Sequence, residues 1–313
     1  MQLFALDESK AHGARIASAF GQGLSELEHR DFPDGECKIR PLAPVRGDHV
    51  CVIQSLYDDP AHSVHDKLCR LLFLIATLRD HGAVRVTALV PFLCYGRKDR
   101  RTKPQDPVTT RYIAQLLEAV GCDDLITLET HNLAAFQNAF RIRTHHIDLG
   151  DVFPDVIAWR TEAEPLVVMS PDPGGVKRAQ LFQKALQDRL GRPLGFGFMD
   201  KQRSAGVMTS GDIIGHYDGM SVIIVDDMVA SGGTMIAAAQ ACKARGAAKV
   251  YALAAHGLFA QGAEALFSGA HFERVFVSDS VPPFRLPDGA KTHRLEIVNT
   301  ETECADALRS LAG

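Results

Sequence analysis

The segment Val222 to Met235, VIIVDDMVASGGTM, gathers residue types that can do chemistry at close spacing. An apolar, strand-like run ends in two adjacent acids, Asp226 and Asp227. A loop of small residues follows, Ala230-Ser231-Gly232-Gly233-Thr234, and then a helical pattern. Small residues let backbone N–H groups close around an anion, and a helix N-terminus adds its dipole. Ser231 and Thr234 offer hydroxyl donors to phosphate oxygens. Asp226 and Asp227 are placed to accept hydrogen bonds from sugar hydroxyls. A 5-phosphorylated ribose fits this arrangement, with its phosphate in the loop and O2 and O3 on the carboxylates. The plainer reading is a tight turn before a helix cap, but a cap alone needs neither the acid pair nor the glycine pair.

Further segments carry the same kind of promise. In Phe32-Pro33-Asp34-Gly35-Glu36, Phe32 offers a flat apolar face for a nucleobase, and Asp34 and Glu36 can accept an exocyclic amine; the same residues also read as a hairpin turn. Arg97, Lys98 and Asp99 follow the strand-like VRVTALVPF. Arg97 can fork onto a phosphate while Asp99 orients it, although such a cluster also suits a solvated loop. His131 follows DLITLE and is expected to open a helix, where a neutral imidazole could ligate Mg²⁺ or touch a phosphate; a lone histidine is otherwise structural. Asp172 lies in SPDPGG, whose Gly174 and Gly175 permit close backbone approach; a simple strand–turn–helix joint is the alternative. Lys201 and Arg203, in MDKQRS, place two cations ahead of a stretch reaching Ile213, or simply decorate a surface loop.

These residues need a scaffold that brings loop ends together. VCVIQS, VRVTALVPF, DLITLE, LVVMS, MSVIIVDDM and VYALAAH are short, continuous and rich in Val, Ile and Leu, as strands buried on both faces should be. Helical patterns cover Val64 to His81, Thr109 to Val120, Gly175 to Leu190 and Gly233 to Arg245, the last followed by Gly246 as a stop. Strand and helix alternate, which predicts an α/β fold with largely parallel sheets. The succession repeats, predicting two similar domains, residues 1–147 and 148–313, joined near His145 to Asp151. In such sheets ligands bind at the carboxyl ends of the strands, where the residues above cluster.

Composition narrows the functional classes. A chain of 313 residues suits about two domains. Hydrophobic residues at 46% and charged residues at 23% are ordinary for a globular protein. Lys and Arg total 34 against 38 Asp and Glu, a net charge of −4, so no chain-wide basic field for nucleic acid exists. No apolar run approaches the length of about 18 residues that a membrane span needs, and the first twenty residues do not resemble a signal peptide, so a cytoplasmic location is expected. Seven cysteines without a C-x-x-C pair argue against disulfides and structural zinc; most, such as Cys69 in KLCRLLFLI, are expected to be small buried hydrophobes.

The loop at 226–234 resembles the phosphoribosyl-diphosphate loop of type I phosphoribosyltransferases. The full set, Phe32–Glu36, Tyr95–Arg100, His131, Ser170–Gly175 with Arg178-Ala179, and Asp226–Thr234, resembles in order and spacing the ribose-phosphate diphosphokinases of nucleotide biosynthesis. The resemblance implies two phosphoribosyltransferase-like domains and transfer of the diphosphoryl group of Mg²⁺-ATP to O1 of ribose 5-phosphate, releasing AMP. It implies ATP binding by Phe32, Asp34, Glu36, Arg97, Lys98 and Asp99, and sugar-phosphate binding by Asp226, Asp227 and Ala230 to Thr234. Metal ligation falls to His131 and Asp172, and catalysis to His131, Lys201 and Arg203. It also implies a homo-oligomer, a dimer or hexamer, in which the Phe32 segment reaches a neighbouring subunit's nucleotide. Three departures stand out: Glu129-Thr130 precedes the histidine, Gln202 replaces a common arginine, and Ala230-Ser231 replaces an acid and a threonine, a form similar to the plant-type class with its weaker dependence on phosphate activation. A phosphoribosyltransferase and a non-catalytic regulatory homologue remain as alternatives.

Overall fold

The computed structural model describes residues 1–161, 163–200, 203–204, 207–208, 213–289 and 294–312. The chain divides into two compact units, one of Met1–Ile147 with Thr300–Gly313, the other of Asp148–Asn299. The expected second domain running to residue 313 is therefore corrected at its end: the last helix packs with the first unit.

The first unit contains β1 (Gln2–Ala5), α1 (Lys10–Phe20), β2 (Leu27–Asp31), β3 (Cys37–Pro41), β4 (His49–Ile53), α2 (Val64–Asp80), β5 (Arg85–Leu89), α3 (Thr109–Ala119), β6 (Asp124–Leu128), α4 (Leu133–Ala139) and β7 (Arg143–Ile147). Its sheet is all-parallel in the order β1-β4-β5-β6-β7. Val50, Val52, Val86, Ala88 and Leu125 of the strands are buried with Leu71, Leu74, Ile75 and Leu78 of α2 and Ile113, Ala114 and Leu117 of α3. The α2 stripe at Leu68, Leu71, Leu72, Ile75 and Leu78 repeats at helical spacing and faces this core. Ser63 caps α2: its Oγ accepts from Asp66 N–H, and Asp66 Oδ2 accepts from Ser63 N–H, at 3.2 and 2.8 Å. Cys69 lies just off that stripe and is exposed, unlike the buried Cys51, Cys94, Cys122, Cys242 and Cys304, which corrects its expected burial.

The second unit contains α5 (Leu149–Val152), α6 (Pro154–Thr161), β8 (Leu166–Ser170), α7 (Val176–Leu190), β9 (Gly195–Met199), β10 (Arg203–Ser204), β11 (Val207–Met208), β12 (Ile213–Ile214), β13 (Ser221–Val229), α8 (Gly233–Ala244), β14 (Lys249–Gly257), α9 (Ala265–Ser268), β15 (Arg274–Ser278) and β16 (Leu295–Val298); α10 (Glu301–Ala312) follows in the first unit. Its sheet runs β12-β9-β8-β13-β14-β15-β16, parallel except for the short edge strand β12. The order reverses at β8, which has β9 on one side and β13 on the other. Such a switch point opens a crevice beyond the strands' carboxyl ends. The first unit has no counterpart of β9; its β2–β3 hairpin forms a separate two-stranded sheet. Both units are thus α/β layers, but they differ at one sheet edge. Among the described residues no helix is long and apolar enough to cross a membrane.

Candidate functional site

In the second unit the acid pair lies inside β13, as the MSVIIVDDM run implies, and the strand reaches one residue beyond that run. The strand continues to Val229 because its ladder with β14 continues: Asp226 is opposite Ala254, Met228 opposite His256 and Val229 opposite Gly257. Asp227 is buried and Asp226 partly so. Arg178, in the first turn of α7, places Nη1 3.4 Å from Asp226 Oδ1 and 3.6 Å from Asp227 Oδ1. Burial first, then the charge of Asp227, push the Asp226 carboxyl up to about 8, and Arg178 pulls against both. The pair thus holds a proton more readily than two separate carboxylates would.

Ala230, Ser231 and Gly232 link the strand to α8. Gly232 is the N-cap with φ +80°, a left-handed conformation, and a Cβ there would sit 2.6 Å from Leu266 Cγ. Glycine is required on both counts. No side chain caps α8, and its first internal bond runs from Ile236 N–H to the Gly232 carbonyl at 2.9 Å. The N–H groups of Gly233, Thr234 and Met235 therefore face out of the helix end, which with the helix dipole forms an anion-binding position. The loop leaves β13 directly beside the β8–β13 switch point.

The loop after the neighbouring β8 holds Asp172. Its Oδ1 accepts from Gly175 N–H at 3.0 Å, and Ser170 Oγ donates to its carbonyl at 2.6 Å. A Cβ on Gly175 would meet Ser170 Oγ at 2.8 Å, so the close approach expected of this glycine is real. Asp172 therefore caps the turn that leads into α7 and Arg178.

In the first unit β5 and β6 are parallel neighbours, so their following loops leave the same sheet edge. Arg97, Lys98 and Asp99 come from one loop and His131 from the other, and the structure brings the loops together: Asn132 Nδ2 donates to Asp99 Oδ2 at 2.8 Å. Asp99 pairs with Arg100, whose Nε and Nη2 both lie at 3.0 Å, not with Arg97, which is exposed. Burial alone would raise the Asp99 carboxyl, but the bonds from Arg100 and Asn132 and the nearby His131 outweigh it and hold it low. Lys98 Nζ stands 3.9 Å from Asp106. His131 is exposed, and it precedes α4 instead of opening it; Asn132 is the N-cap, its Oδ1 accepting from Ala135 N–H at 3.1 Å. Tyr95 (φ +60°) and Glu129 (φ +30°) sit in the left-handed region just before these groups. Such strain collects where function holds the backbone.

Phe32, Asp34 and Glu36 form the tip of the β2–β3 hairpin, with Gly35 N–H donating to the Phe32 carbonyl at 3.0 Å and Phe32 N–H to the Glu36 carbonyl at 2.8 Å. The turn reading of this segment thus holds: Asp34 Oδ1 accepts from Glu36 N–H at 3.2 Å, and the Arg30 guanidinium lies 4.9 Å from the centre of the Phe32 ring. Lys201 lies outside the described residues. Arg203 is known by its backbone, paired in β10 with Met208 of β11, its side chain lying outside the description.

Sequence reasoning quoted Arg178 but gave it no role, and passed over Asn132. Both had signals: a lone arginine one helical turn after a glycine pair, and an Asx residue directly before Leu133-Ala134-Ala135.

Among the described residues no three His, Cys, Asp or Glu side chains stand close enough to hold a metal by themselves. Mg²⁺ does not ask for that: it keeps several waters and is usually held by one or two carboxylates plus substrate phosphates. Asp172, a hard oxygen donor in the loop after β8, fits such an ion, whereas the His131 nitrogen is a softer donor.

Residues 1–121 match the family described as the N-terminal domain of ribose phosphate pyrophosphokinase, and residues 198–312 match the phosphoribosyl synthetase-associated domain. The ribose-phosphate pyrophosphokinase of Aquifex aeolicus is 31% identical over 315 aligned residues, covering 99% of this chain and 96% of that one. A putative ribose-phosphate pyrophosphokinase 1 of Enterococcus faecalis is 33% identical over 284, covering 90% and 84%. The crystal structure of phosphoribosylpyrophosphate synthetase from Mycobacterium smegmatis superposes with a TM-score of 0.86 at 25% identity, covering 99% of this chain and 98% of that one. With both sheets, the strand-end loops and nearly the whole length accounted for, the chain belongs to the ribose-phosphate pyrophosphokinase family and is an enzyme of that type.

Proposed function

We propose that the protein transfers the diphosphoryl group of ATP to O1 of ribose 5-phosphate, giving 5-phosphoribosyl 1-diphosphate and AMP. The observation that carries this reading is the second unit's switch point, where an uncapped helix end with an obligatory Gly232 stands beside a paired, arginine-braced acid couple. The 5-phosphate takes the amides of Gly233 to Met235 with the Ser231 and Thr234 hydroxyls. The O2 and O3 hydroxyls donate to Asp226 and Asp227.

On the nucleotide side, Phe32 stacks on the adenine, with Asp34 and Glu36 accepting its amine, and Arg97, Lys98 and Asp99 serve the phosphates. The anomeric oxygen attacks the β-phosphorus in line. The bond from that phosphorus to the α,β-bridging oxygen breaks, AMP leaves with the electron pair, and the hydroxyl proton passes to solvent. An anomeric hydroxyl is more acidic than an ordinary alcohol, so no dedicated base is assigned. Phosphoryl transfer depends mainly on positioning and charge neutralisation; Arg97, Lys201 and Arg203 supply positive charge for the developing oxyanions. Mg²⁺, when bound, withdraws charge from the phosphate oxygens as a Lewis acid. His131 and Asp172 are the candidates to hold it.

The test is AMP release measured with and without ribose 5-phosphate across a Mg²⁺ titration. AMP formation that requires both is the expected result. No AMP at any Mg²⁺ concentration would overturn the reading in favour of a non-catalytic homologue.

A further inference from the structure

The hairpin that carries Phe32, Asp34 and Glu36 is not hydrogen-bonded into the main sheet of its unit. A lone two-stranded ribbon has little intrinsic stability, so its orientation must come from other contacts. Ile39 joins the unit's core, and Leu27 at the foot and Cys37 opposite Asp31 pack against it, so one face of the ribbon rests on apolar contacts. The charged contacts of the stem centre on Arg70.

Arg70 is buried, and it projects from α2 beside a stripe that is otherwise leucine and isoleucine. Its Nη2 donates to Asp31 Oδ1 at 2.6 Å, and its Nη1 lies 2.5 Å from His29 Nε2. A guanidinium can only donate, so His29 Nε2 accepts and the ring proton belongs on Nδ1, which stands 2.6 Å from Asp7 Oδ2. Glu8 Oε1 is 3.5 Å from Arg70 Nη1 and 3.1 Å from His62 Nδ1, and Glu8 Oε2 accepts from Gln54 Nε2 at 3.3 Å. One buried cation thus ties two residues of β2 to the helix and to the segment after β1. Asp31 is the last residue of β2 and immediately precedes Phe32. A buried arginine is costly where an aliphatic side chain would pack, unless it is fully engaged, and what it engages here is the stem of the hairpin.

We propose that Arg70 is a positioning residue for the nucleotide: through Asp31 and His29 it sets the angle at which the hairpin presents Phe32, Asp34 and Glu36. The proposal rests on the reading of the hairpin tip as a nucleotide-binding element. It acts on ATP alone and leaves the sugar-phosphate residues of the other unit untouched.

The test is steady-state kinetics on the full-length enzyme carrying Arg70→Gln, Arg70→Lys or Asp31→Asn, with Phe32→Ala as reference. Arg70→Gln should raise KM for ATP about tenfold, with kcat and KM for ribose 5-phosphate within about twofold of the parent. Arg70→Lys should recover only part of this, because an ammonium lacks the planar fork that reaches Asp31 and His29 together. Asp31→Asn removes the same link from its exposed side and is the readout that remains if Arg70→Gln does not fold; KM for ATP should rise about threefold. If Phe32→Ala raises KM for ATP while both Arg70→Lys and Asp31→Asn leave it unchanged, the proposal is wrong and the hairpin reading stands. A uniform fall in kcat that follows thermal stability, without a change in KM for ATP, also overturns it, as mere structural support would give that. If Phe32→Ala itself leaves KM for ATP unchanged, the hairpin reading falls and the proposal with it.

Discussion

Replacing Arg178 by glutamine removes the guanidinium that stands 3.4 and 3.6 Å from the two acids of β13. Burial and Asp227 already push the Asp226 carboxyl up to about 8 against the pull of Arg178. Losing an opposite charge at this range lifts a carboxyl by roughly one to three pH units. At about pH 7.5 the ionised fraction of Asp226 then falls from about a quarter to between about 3% and about 0.03%. If ionised Asp226 receives a sugar hydroxyl, kcat/KM for ribose 5-phosphate should drop about tenfold to several-hundred-fold at that pH. The ascending limb of its pH profile, expected near 8 in the parent from the raised Asp226 carboxyl, should move to higher pH, so the deficit shrinks in alkaline buffer. KM for ATP should not follow. The assay is initial-rate AMP formation against ribose 5-phosphate from about pH 6 to pH 10. An unmoved limb, or a loss of equal size at every pH, would show that Arg178 does not govern the charge of the pair.

Asp226→Asn should abolish turnover yet raise thermal stability. The native carboxyl is raised from 3.8 to about 8, so the folded state keeps a proton that the unfolded chain gives up, and stability is lost as pH climbs between those values, by at most about 1.4 kcal/mol per pH unit. Melting temperatures of variant and parent should therefore diverge from about pH 4 upwards and level off above about pH 8; a gain largest at low pH would contradict the sign. Gly232→Ala forces a Cβ into a left-handed residue and onto Leu266, so it should cost about 1–3 kcal/mol in denaturant unfolding and raise KM for ribose 5-phosphate at least about tenfold. Gly233→Ala, where the nearest atom to a new Cβ is Ser231 Oγ at 3.9 Å, should unfold like the parent, and equal losses in the two variants would refute the steric argument. Brief iodoacetamide treatment followed by peptide mapping should label the exposed Cys69 first; Cys51, Cys94, Cys122 and Cys242 are buried thiols pushed up by that burial, and rapid labelling of any of them would contradict the packing.

Much of the scaffold was legible because strands buried on both faces must be runs of Val, Ile and Leu, as Leu166–Ser170 and Asp124–Leu128 are. The α2 helix announced itself by its apolar spacing and by Ser63 and Asp66 at its start. What the sequence concealed depended on contacts distant along the chain. The end of β13 at Val229 is set by its ladder with β14, which the apolar run shows only to within a residue. The last helix belongs with the first unit because it packs on α1, and Thr300 Oγ1 comes within 3.3 Å of His12 Nε2. The edge difference between the sheets arises because LEHRD and CKIRP pair only with each other. In the site, residue types with one obvious chemistry, such as Gly232 and the acid pair, were found directly. Residues that act by bracing others, Arg178, Asn132 and Arg70, declare themselves only once their partners are in place.

The central claim is that a diphosphoryl group, and not a single phosphoryl group, leaves ATP for the anomeric oxygen. Phosphorus NMR of the enzyme with ribose 5-phosphate, ATP and Mg²⁺ reads this directly. The account predicts matched growth of AMP and of a sugar-linked diphosphate on C1, with the 5-phosphate retained and no ADP. Growth of ADP with a monophosphate at C1, or loss of ATP without any new phosphorus signal coupled to the sugar, would contradict it.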